Sequence, residues 1–430
     1  MAYIDTDQCL YYFLQKITRL NLLLIFKWLI FGQLIFSVMK KSLRWTMLLC
    51  ALFLMSCNSK KGSETDPDDK VGLVADKQIV FPLDERTYYL SKSMFQFEEN
   101  GREYLYFENT RKSLYDIVVF DIATGQIAKR IPMSKTGPNG LPAVYGSIPF
   151  PDSKSIMLSQ NNISRFSFIN DRGEVIRNYT ISAPGGGFTY LSICSYYHMP
   201  AFGNDSCVYF QQSIPKPDMK REDWPQTHMF ASLDLKTGQF KQLPLFYPPL
   251  FQEEYANVAG GYRFSYDYNY KEGRLVCGFF GYDSLMVTDD LKHIQWYNGK
   301  SKYLKSMRPK LRDSMSGLKS IMESHERPKY WHVMYDKYRD VYYRFVEMPY
   351  ELAPDESPYD EPRGKEFSVI VLNNQFEIIG ETKFPGKKYF YKMCFVGRDG
   401  LYISENNLAN PDFDEDKLVF TCFKIKETGL

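Results

Sequence analysis

The stretch Val118-Val119-Phe120-Asp121-Ile122-Ala123-Thr124-Gly125-Gln126-Ile127 has the order of one β-hairpin. Apolar residues that suit a strand come first, an Asp that can accept hydrogen bonds from the backbone ahead of it begins the turn, and a Gly supplies positive φ. The same order returns at Ala231-Ser232-Leu233-Asp234-Leu235-Lys236-Thr237-Gly238-Gln239-Phe240. The chain therefore repeats a hairpin, and many short strands without helices between them are typical of all-β folds.

Weaker copies of this hairpin keep the apolar strand and a turn that contains Asn or Asp. They are residues 168–175, 287–294 and 371–378. Each of the five copies comes after another strand-like run, and these runs are residues 104–107, 155–158, 207–210, 275–278 and 341–345. Two successive hairpins make a sheet of four antiparallel strands, which is the content of one propeller blade.

The last part of the chain completes a ring in this interpretation. Residues 390–426 contain a further set of strands, and Gln78-Ile79-Val80-Phe81 can pair with it, so that no sheet edge stays exposed. We therefore predict an all-β fold, a β-propeller of six blades over residues 75–430, with seven blades as the alternative and one short helical insertion. The 33 Tyr and 32 Phe residues favour strands, and a carbohydrate-stacking surface is the alternative use of these rings.

A different pattern precedes this domain. Met39-Lys40-Lys41-Ser42-Leu43-Arg44 is a basic segment, and the apolar run Trp45–Met55 that follows is too short to span a bilayer as a helix. It ends in Leu54-Met55-Ser56-Cys57, which resembles the lipobox of bacterial lipoprotein precursors. The resemblance implies cleavage between Ser56 and Cys57 and a diacylglyceryl thioether on the Cys57 sulfur.

The lipobox divides the N-terminal part of the chain into three segments. Residues 39–56 are predicted to be a lipoprotein signal peptide, and the polar residues 57–74 a flexible tether. Residues 1–38 contain a second apolar run, and we interpret them as an over-extension of the reading frame upstream of Met39. The alternative is a transmembrane segment ahead of the lipobox.

The combination of lipobox, tether and six-unit β domain resembles the six-bladed propeller lipoproteins of Bacteroidetes, including uncharacterised families. Ser134-Lys135-Thr136-Gly137-Pro138-Asn139-Gly140 is similar to the Gly-Pro-rich loop after the first blade of those proteins. The resemblance implies an outer-membrane lipoprotein, attached through the lipid on Cys57, with a binding role on the periplasmic or the cell-surface side. Asn58-Ser59-Lys60-Lys61 stands where an acidic surface-export signal would begin, so the side is left open.

The remaining chemistry of the sequence is sparse. With 53 Lys and Arg against 51 Asp and Glu, the net charge of +2 argues against a nucleic-acid binder. The common phosphate-loop, zinc-protease and hydrolase motifs are absent, and the five histidines, without ligand spacing, are interpreted as ordinary surface or strand residues. We therefore expect no cofactor and no metal, and the sequence names no catalytic or ligand-binding residue.

The cysteines after Cys57 lie mostly in apolar runs and are predicted to be small buried residues. They are Cys194, Cys207, Cys277, Cys394 and Cys422. A bridge between Cys194 and Cys207 is left open on spacing alone.

Two insertions interrupt the strand pattern. Pro309–Glu323 has the apolar spacing of a helix inside the basic stretch 302–329, and it is predicted to cap one propeller face, with a groove or membrane-surface contact as the alternative. The acidic segment Glu351–Glu366 lacks the spacing of a calcium loop and is predicted to be a solvated hairpin tip.

Two functions from different classes fit this sequence. The first is a lipid-anchored, exported propeller that binds a glycan, a peptide or a partner protein and performs no reaction. The alternative is a glycan hydrolase or lyase with carboxylates from several blades in the central channel. A convergent pair of buried carboxylates would favour the enzyme.

Overall fold

In a computed structural model of the protein, the repeated hairpins form six antiparallel sheets. The structure describes residues 64–65, 69–91, 93–109, 115–141, 146–149, 155–160, 165–180, 198–212, 226–248, 263–305, 307, 318–354, 356–357, 359 and 362–428. The strands up to the middle of the chain are β1 (Glu64–Thr65), β2 (Val71–Pro82), β3 (Met94–Glu99), β4 (Arg102–Asn109), β5 (Asp116–Asp121), β6 (Ile127–Pro132), β7 (Gly146–Pro149), β8 (Ile156–Gln160), β9 (Arg165–Ile169), β10 (Val175–Thr180), β11 (Phe202–Asn204), β12 (Cys207–Gln211), β13 (Phe230–Asp234) and β14 (Phe240–Gln242). The later strands are β15 (Phe264–Asn269), β16 (Arg274–Phe279), β17 (Ser284–Thr288), β18 (Gln295–Asn298), β19 (Lys329–Asp336), β20 (Val341–Glu347), β21 (Phe367–Asn373), β22 (Ile378–Phe384), β23 (Phe390–Gly397), β24 (Gly400–Ser404) and β25 (Lys417–Glu427), with the helix α1 (Leu318–Glu326) before β19.

The sheets are the six blades of a propeller. Blades 1 to 5 take consecutive strands, which are β3–β6, β7–β10, β11–β14, β15–β18 and β19–β22. The first strand of a blade contacts the first strand of a neighbour in the pairs β3–β7, β15–β19, β19–β23 and β23–β3. These first strands therefore line the centre of the ring. The prediction of a six-bladed β-propeller is confirmed, and the seven-bladed alternative is wrong.

Blade 6 closes the ring with the N-terminal strand. Its order is β2-β25-β24-β23, and the pairing of β2 with β25 runs from Val71 opposite Glu427 to Pro82 opposite Lys417. The predicted pairing of residues 78–81 with the last blade is thus confirmed. The strand starts earlier than expected, because residues 71–74, assigned to the tether from the sequence, are apolar enough to continue it. Two more tether residues, Glu64–Thr65, pair with β22 of blade 5.

Aromatic side chains fill the spaces between blades. Between blades 5 and 6, Phe367 stacks on Phe384 with ring centroids 4.7 Å apart, and Phe384 meets Phe423 edge to face at 5.0 Å. Phe81 of β2 contacts Phe120 of blade 1 at 4.9 Å and is fully buried. Each buried ring contributes about 1.5–3 kcal/mol relative to exposure. This packing accounts for much of the high aromatic content.

The two clearest hairpin turns form as the sequence predicts. Asp121 Oδ1 accepts hydrogen bonds from the N–H groups of Ala123 (2.9 Å) and Thr124 (3.0 Å), and Gly125 has a φ of 71°. In the second copy, Asp234 Oδ1 accepts from Lys236 (2.9 Å) and Thr237 (2.7 Å), and Gly238 has a φ of 72°. The repeat therefore has a local physical cause in its Asp and Gly residues.

The described part of the basic insertion contains α1, which overlaps the last residues of the predicted helix over Pro309–Glu323. Residues 308–317, with most of that predicted segment, lie outside the described residues. In the part of the chain that the structure describes, no helix is both long and apolar enough to cross a membrane.

The acidic insertion connects β20 and β21, which are antiparallel neighbours, as a hairpin tip requires. Glu356 organises this connection, because its carboxylate accepts hydrogen bonds from the Tyr350 hydroxyl (2.6 Å) and from the N–H groups of Ala353 (2.9 Å) and Arg363 (2.8 Å).

Three of the predicted buried cysteines, Cys277, Cys394 and Cys422, are buried and free. Cys207 is partly exposed and its thiol is also free, so the bridge to Cys194 is not formed. Cys194 itself, Cys57, Ser56 and residues 1–38 lie outside the described residues.

Candidate functional site

The two ends of the blades carry different connections. In a four-stranded antiparallel blade, the link between strands two and three and the link to the next blade emerge at the same end. The five longest connections all emerge there, and they are residues 181–201, 212–229, 243–263, 299–328 and 348–366. We call this end the long-loop face. The opposite end, the short-turn face, has tight links such as residues 100–101, 205–206 and 398–399.

Buried polar atoms without a hydrogen-bond partner are concentrated at the long-loop face. Among the described residues, these atoms include Arg165 Nε, Gln211 Oε1, Trp331 Nε1 and Glu347 Oε1. Arg165 begins β9, Gln211 and Glu347 end β12 and β20, and Trp331 is the third residue of β19, so all lie at this end of their strands. Two further atoms of this kind, Arg344 Nε and Thr428 Oγ1, lie elsewhere. Buried polar groups are normally hydrogen-bonded. A group of unsatisfied polar atoms at one end of the blades therefore distinguishes the long-loop face from the other described surfaces.

Three lysines of this face surround one carboxylate. The distances from Glu347 to the Nζ atoms are 2.6 Å for Lys365, 3.4 Å for Lys329 and 3.9 Å for Lys392. We call these four residues the lysine cluster. Glu347 is only 1% exposed. Burial by itself raises the pKa of Glu347, but the charges of the lysines outweigh it and hold the pKa below its usual range, so the carboxylate is ionised.

Lys365 fixes the geometry of the cluster. Its ammonium group donates to Glu347 and also to the carbonyl oxygens of His325 (2.8 Å) and Arg327 (3.3 Å). It therefore joins the C-terminal end of α1 to the end of β20, where a cation also suits the helix dipole.

The indole of Trp331 lies between the lysine cluster and an aromatic group. Lys392 Nζ is 4.4 Å and Lys329 Nζ 5.5 Å from the ring centroid, while the Phe280 ring of blade 4 is 4.5 Å away. The pairing of β19 with β20 breaks register between Tyr330 and Val333, so Trp331 sits in a β-bulge. Bulges re-aim side chains, which explains why Trp331 points to this group.

His198 and His332 complete the centre of the long-loop face. Their ring centroids are 5.3 Å apart, and His198 lies 5.2 Å from Trp331. Burial, assisted by the charges of Lys392 and Arg263, lowers the pKa of His198 to about 3. Burial, with His198 and Lys392, also holds the pKa of His332 well below its ordinary value, so both rings are neutral near pH 7.

The segment before blade 3 therefore reaches the first strand of blade 5. His332 is a strand residue, as the sequence interpretation expects, but the sequence does not indicate that its ring lies beside that of His198. No group of three or more His, Cys, Asp or Glu side chains suited to a metal ion occurs within the described ranges.

At the short-turn face, hydrogen bonds between polar and charged side chains connect different blades. The Tyr338 hydroxyl of blade 5 donates to Glu98 of blade 1, and Arg398 of blade 6 donates to the same carboxylate. Gln96 donates to the Tyr338 oxygen at 3.0 Å, and the Arg398 N–H donates to Glu103 at 2.9 Å. Every one of these contacts joins different blades, so this group holds the blades together. We call Gln96, Glu98, Glu103, Tyr338 and Arg398 the tie at the short-turn face.

Asp267 and Glu347 are two described carboxyl groups with shifted pKa values, and they are not paired with each other. Asp267, on β15, is partly buried, and burial raises its pKa to about 6, but its oxygens accept the N–H groups of Tyr268 and Tyr335 (both 2.8 Å). Glu347 is ionised and bound to lysines. No described contact joins Asp267 to Glu347, whereas glycoside hydrolysis uses two carboxyl groups across one bond.

Sequence reasoning did not find the residues of this site. Lys329 was noted within the basic stretch, but Trp331, Glu347, Lys365 and Lys392 have no local motif. Cys57 and Ser56, the two residues of the predicted cleavage and lipidation site, lie outside the described residues, so lipidation stays a prediction.

Comparisons with known proteins place this fold in a family. A family model described as "Domain of unknown function (DUF4221)" matches residues 70–383. The chain is similar to a member of that family from Bacteroides vulgatus with 74% identity, covering 84% of this chain and 99% of that one, at a TM-score of 0.80. A Bacteroides fragilis protein described as exported shares the fold at 9% identity, covering 83% of this chain and 96% of that one, at a TM-score of 0.50. No curated protein matches the chain.

Proposed function

Because the chain belongs to the DUF4221 family, a group of propeller proteins without an assigned activity, we propose that it is a lipid-anchored, exported binding protein. Its long-loop face holds the ligand, which is a glycan, a peptide or a partner protein. The role requires no reaction, and the chain acts by presenting a rigid surface.

One observation carries this proposal: the four unpartnered buried atoms at the long-loop face, Arg165 Nε, Gln211 Oε1, Trp331 Nε1 and Glu347 Oε1. Leaving a buried donor or acceptor unsatisfied costs about 1–3 kcal/mol. A ligand at this face that supplies a missing partner recovers this cost on binding.

The export and anchor part of the proposal rests on the lipobox that ends at Cys57. A protein with the same fold is described as exported, which agrees with an extracytoplasmic location. The proposed attachment to the outer membrane through the Cys57 lipid rests on the resemblance to the propeller lipoproteins of Bacteroidetes, and the choice between the periplasmic and the cell-surface side is left to experiment.

The experiment is a binding screen of the purified full chain on arrays of bacterial, plant and host glycans and of peptides. Hits are compared among the wild type, Gln211→Ala and Trp331→Phe at the long-loop face, and Tyr270→Ala at the short-turn face. Tyr270 is a suitable control because it is an exposed ring in the link between β15 and β16. We expect the first two substitutions to weaken binding at least tenfold and the third to leave it unchanged. Loss of binding in Tyr270→Ala alone would assign the ligand to the other face and reject the proposal.

A further inference from the structure

Positive charge is concentrated where the first strands of blades 5 and 6 begin. Lys329 and Lys392 hold their ammonium groups beside Trp331, and their side chains are 19% and 10% exposed. Lys365 is engaged with Glu347 and the carbonyl oxygens at the end of α1. Ammonium groups this far from water are stabilised by nearby negative charge. Three ammonium groups share the single carboxylate of Glu347, and this excess of positive charge suits a ligand that carries an anionic group.

The unpartnered atoms add a second requirement. Two of them belong to the lysine cluster and its neighbour: Trp331 Nε1 is a hydrogen-bond donor, and Glu347 Oε1 is an acceptor. Inorganic phosphate at neutral pH, or an isolated carboxylate, is mainly an acceptor and would leave the Glu347 oxygen unmatched. A hydroxyl group donates and accepts, so a ligand rich in hydroxyls matches both kinds of atom.

An acidic peptide fits this face less well than an acidic sugar. Peptides that bind β proteins commonly add a strand to an open sheet edge. The edges of these blades are their first and last strands, which lie at the centre and at the rim of the ring, whereas the unpartnered atoms are side-chain atoms at the strand ends. These side-chain atoms do not offer a peptide backbone a ladder of hydrogen bonds.

The groups at the long-loop face are held in place before any ligand arrives. Trp331 is fixed between Phe280 and Lys392, and Glu347 is fixed by the lysine cluster. Side chains that are ordered in advance lose little entropy on binding, which favours recognition of a small polar ligand.

We propose that the long-loop face binds an acidic saccharide, a sugar that carries a carboxylate as well as hydroxyls, with its carboxylate beside Lys329 and Lys392. This inference rests on the proposed binding function and names the chemistry of its ligand. The Trp331 indole N–H lies at the same position and donates to the sugar, while Glu347 Oε1 accepts from one of its hydroxyls.

The first experiment uses the wild-type chain and changes only the ligand. Isothermal titration is carried out with oligosaccharides of glucuronic, galacturonic and mannuronic acid, with sialylated oligosaccharides, and with the carboxyl-reduced counterpart of each. Poly-glutamate and inorganic phosphate are run beside them. We expect at least one acidic saccharide to bind, its carboxyl-reduced form to bind at least tenfold more weakly, and added salt to weaken the acidic form only.

The second experiment changes the protein. Lys329→Gln and Lys392→Gln are compared with Lys337→Gln, a matched control just after the other end of β19. Lys337 lies 5.0 Å from the Tyr338 ring and 3.4 Å from a glutamate, much as Lys329 lies beside Trp331 and Glu347, but it is at the short-turn face. We expect a tenfold or greater loss of affinity in the first two variants and none in the control, with melting temperatures recorded to identify variants that fold poorly.

The outcomes separate this inference from the function on which it rests. Equal affinity for acidic and carboxyl-reduced sugars would overturn the role of charge while leaving a glycan-binding face intact. Binding of poly-glutamate alone would overturn the saccharide and leave a peptide-binding face. Failure of every acidic saccharide in the panel would also overturn the inference, whereas the array screen with Gln211→Ala and Tyr270→Ala independently decides the binding face.

Discussion

The ammonium group of Lys365 is buried against the Glu347 carboxylate and two main-chain carbonyl oxygens. Both side chains are only 2% exposed. Forming such a pair gives little net stability, because each charge loses its water, but removing one partner leaves the other charged and buried. The pair therefore fixes the geometry of the lysine cluster more than it stabilises the fold.

Lys365→Met should lower the free energy of unfolding by about 3 kcal/mol, because it takes the closest cation from a buried carboxylate. The matched control is Lys383→Met, which breaks the ion pair of Lys383 with Glu366, also at a short distance of 2.7 Å but with side chains 28% and 49% exposed. Such exposed pairs contribute about 0–1 kcal/mol. Urea denaturation of both variants measures the difference, and equal losses would contradict this account of the cluster.

The turn between β5 and β6 contacts the strand that closes the ring. Gly125, in the turn between β5 and β6, has a φ of 71°, and a Cβ atom there would lie 2.5 Å from the Val80 carbonyl oxygen of the closing strand. The turn of blade 1 is thus packed directly on blade 6. Gly125, which the sequence assigns to a local turn, therefore also allows the close contact between blade 1 and blade 6.

Gly125→Ala should destabilise the protein more than Gly101→Ala. Both glycines have positive φ, 71° and 76°, so both substitutions incur about 1–2 kcal/mol of left-handed strain. A Cβ atom at Gly101 meets nothing within 4 Å, so only Gly125→Ala adds a backbone clash with β2. Thermal melts of the two variants give the comparison. If their melting temperatures fall equally, the close contact between the turn and Val80 contributes nothing to the stability of the fold.

The tie at the short-turn face should depend on pH through Glu98. The hydrogen bond from Tyr338, assisted by Arg398 and Lys337, lowers the pKa of Glu98 from 4.5 to about 2. A carboxyl group with a depressed pKa in the folded state contributes stability above its unfolded pKa and loses that contribution as the pH falls from about 4.5 towards 2. Glu98→Gln should therefore be less stable than the wild type at pH 7, with the gap narrowing as the pH drops. A gap that stays constant across this range would show that Glu98 acts through packing alone.

Across the ring, the fold could be predicted because its repeat is local. The Asp121 and Asp234 turns make the same hydrogen bonds in two blades, so the sequence displays the unit directly. The site could not be predicted, because Lys329, Glu347 and Lys392 come from two blades and meet only when the sheets are side by side. His198 likewise reaches Trp331 from a segment more than a hundred residues away along the chain. The helical insertion could also be predicted from its apolar spacing, since the described helix over Leu318–Glu326 overlaps the predicted segment Pro309–Glu323.

Membrane attachment should depend on one sulfur atom. In a bacterial host, Cys57→Ala should leave the signal peptide uncleaved and the protein without acyl chains, whereas Cys207→Ala, at a free thiol of the propeller, should be processed normally. Removing residues 1–38 should change neither result, because Lys40, Lys41 and Arg44 already supply the basic segment. Intact-mass analysis decides the matter, and an unmodified Cys57 in the wild-type chain would reject the anchor.

The stability of the whole ring should depend on β2 out of proportion to its length. This strand pairs with β25 from Val71 to Pro82, and its Phe81 ring packs on Phe120 of blade 1 and on Phe420 of blade 6, with centroids 4.9 Å and 6.0 Å away. Without it, β25 would present a row of unpaired backbone groups, and the two blades beside the closure would lose a shared aromatic contact. Since neighbouring blades bury each other, the damage should spread around the ring.

A chain that begins at Asp84 should therefore melt at a lower temperature than one that begins at Gly62, and it should aggregate through the open edge of β25. The longer chain keeps both β1 and β2, including the pairing of Glu64–Thr65 with β22, so it is the correct reference. Phe81→Ala in the longer chain isolates the aromatic contact from the loss of the strand, and it should cost about 3–5 kcal/mol on its own. In calorimetry, a cooperative ring gives a single unfolding transition at a lower temperature, whereas independent blades give separate unfolding transitions. Indistinguishable melts of the two chains would mean that the five consecutive blades are stable without closure, and the ring would then be a stack of independent sheets rather than one cooperative unit.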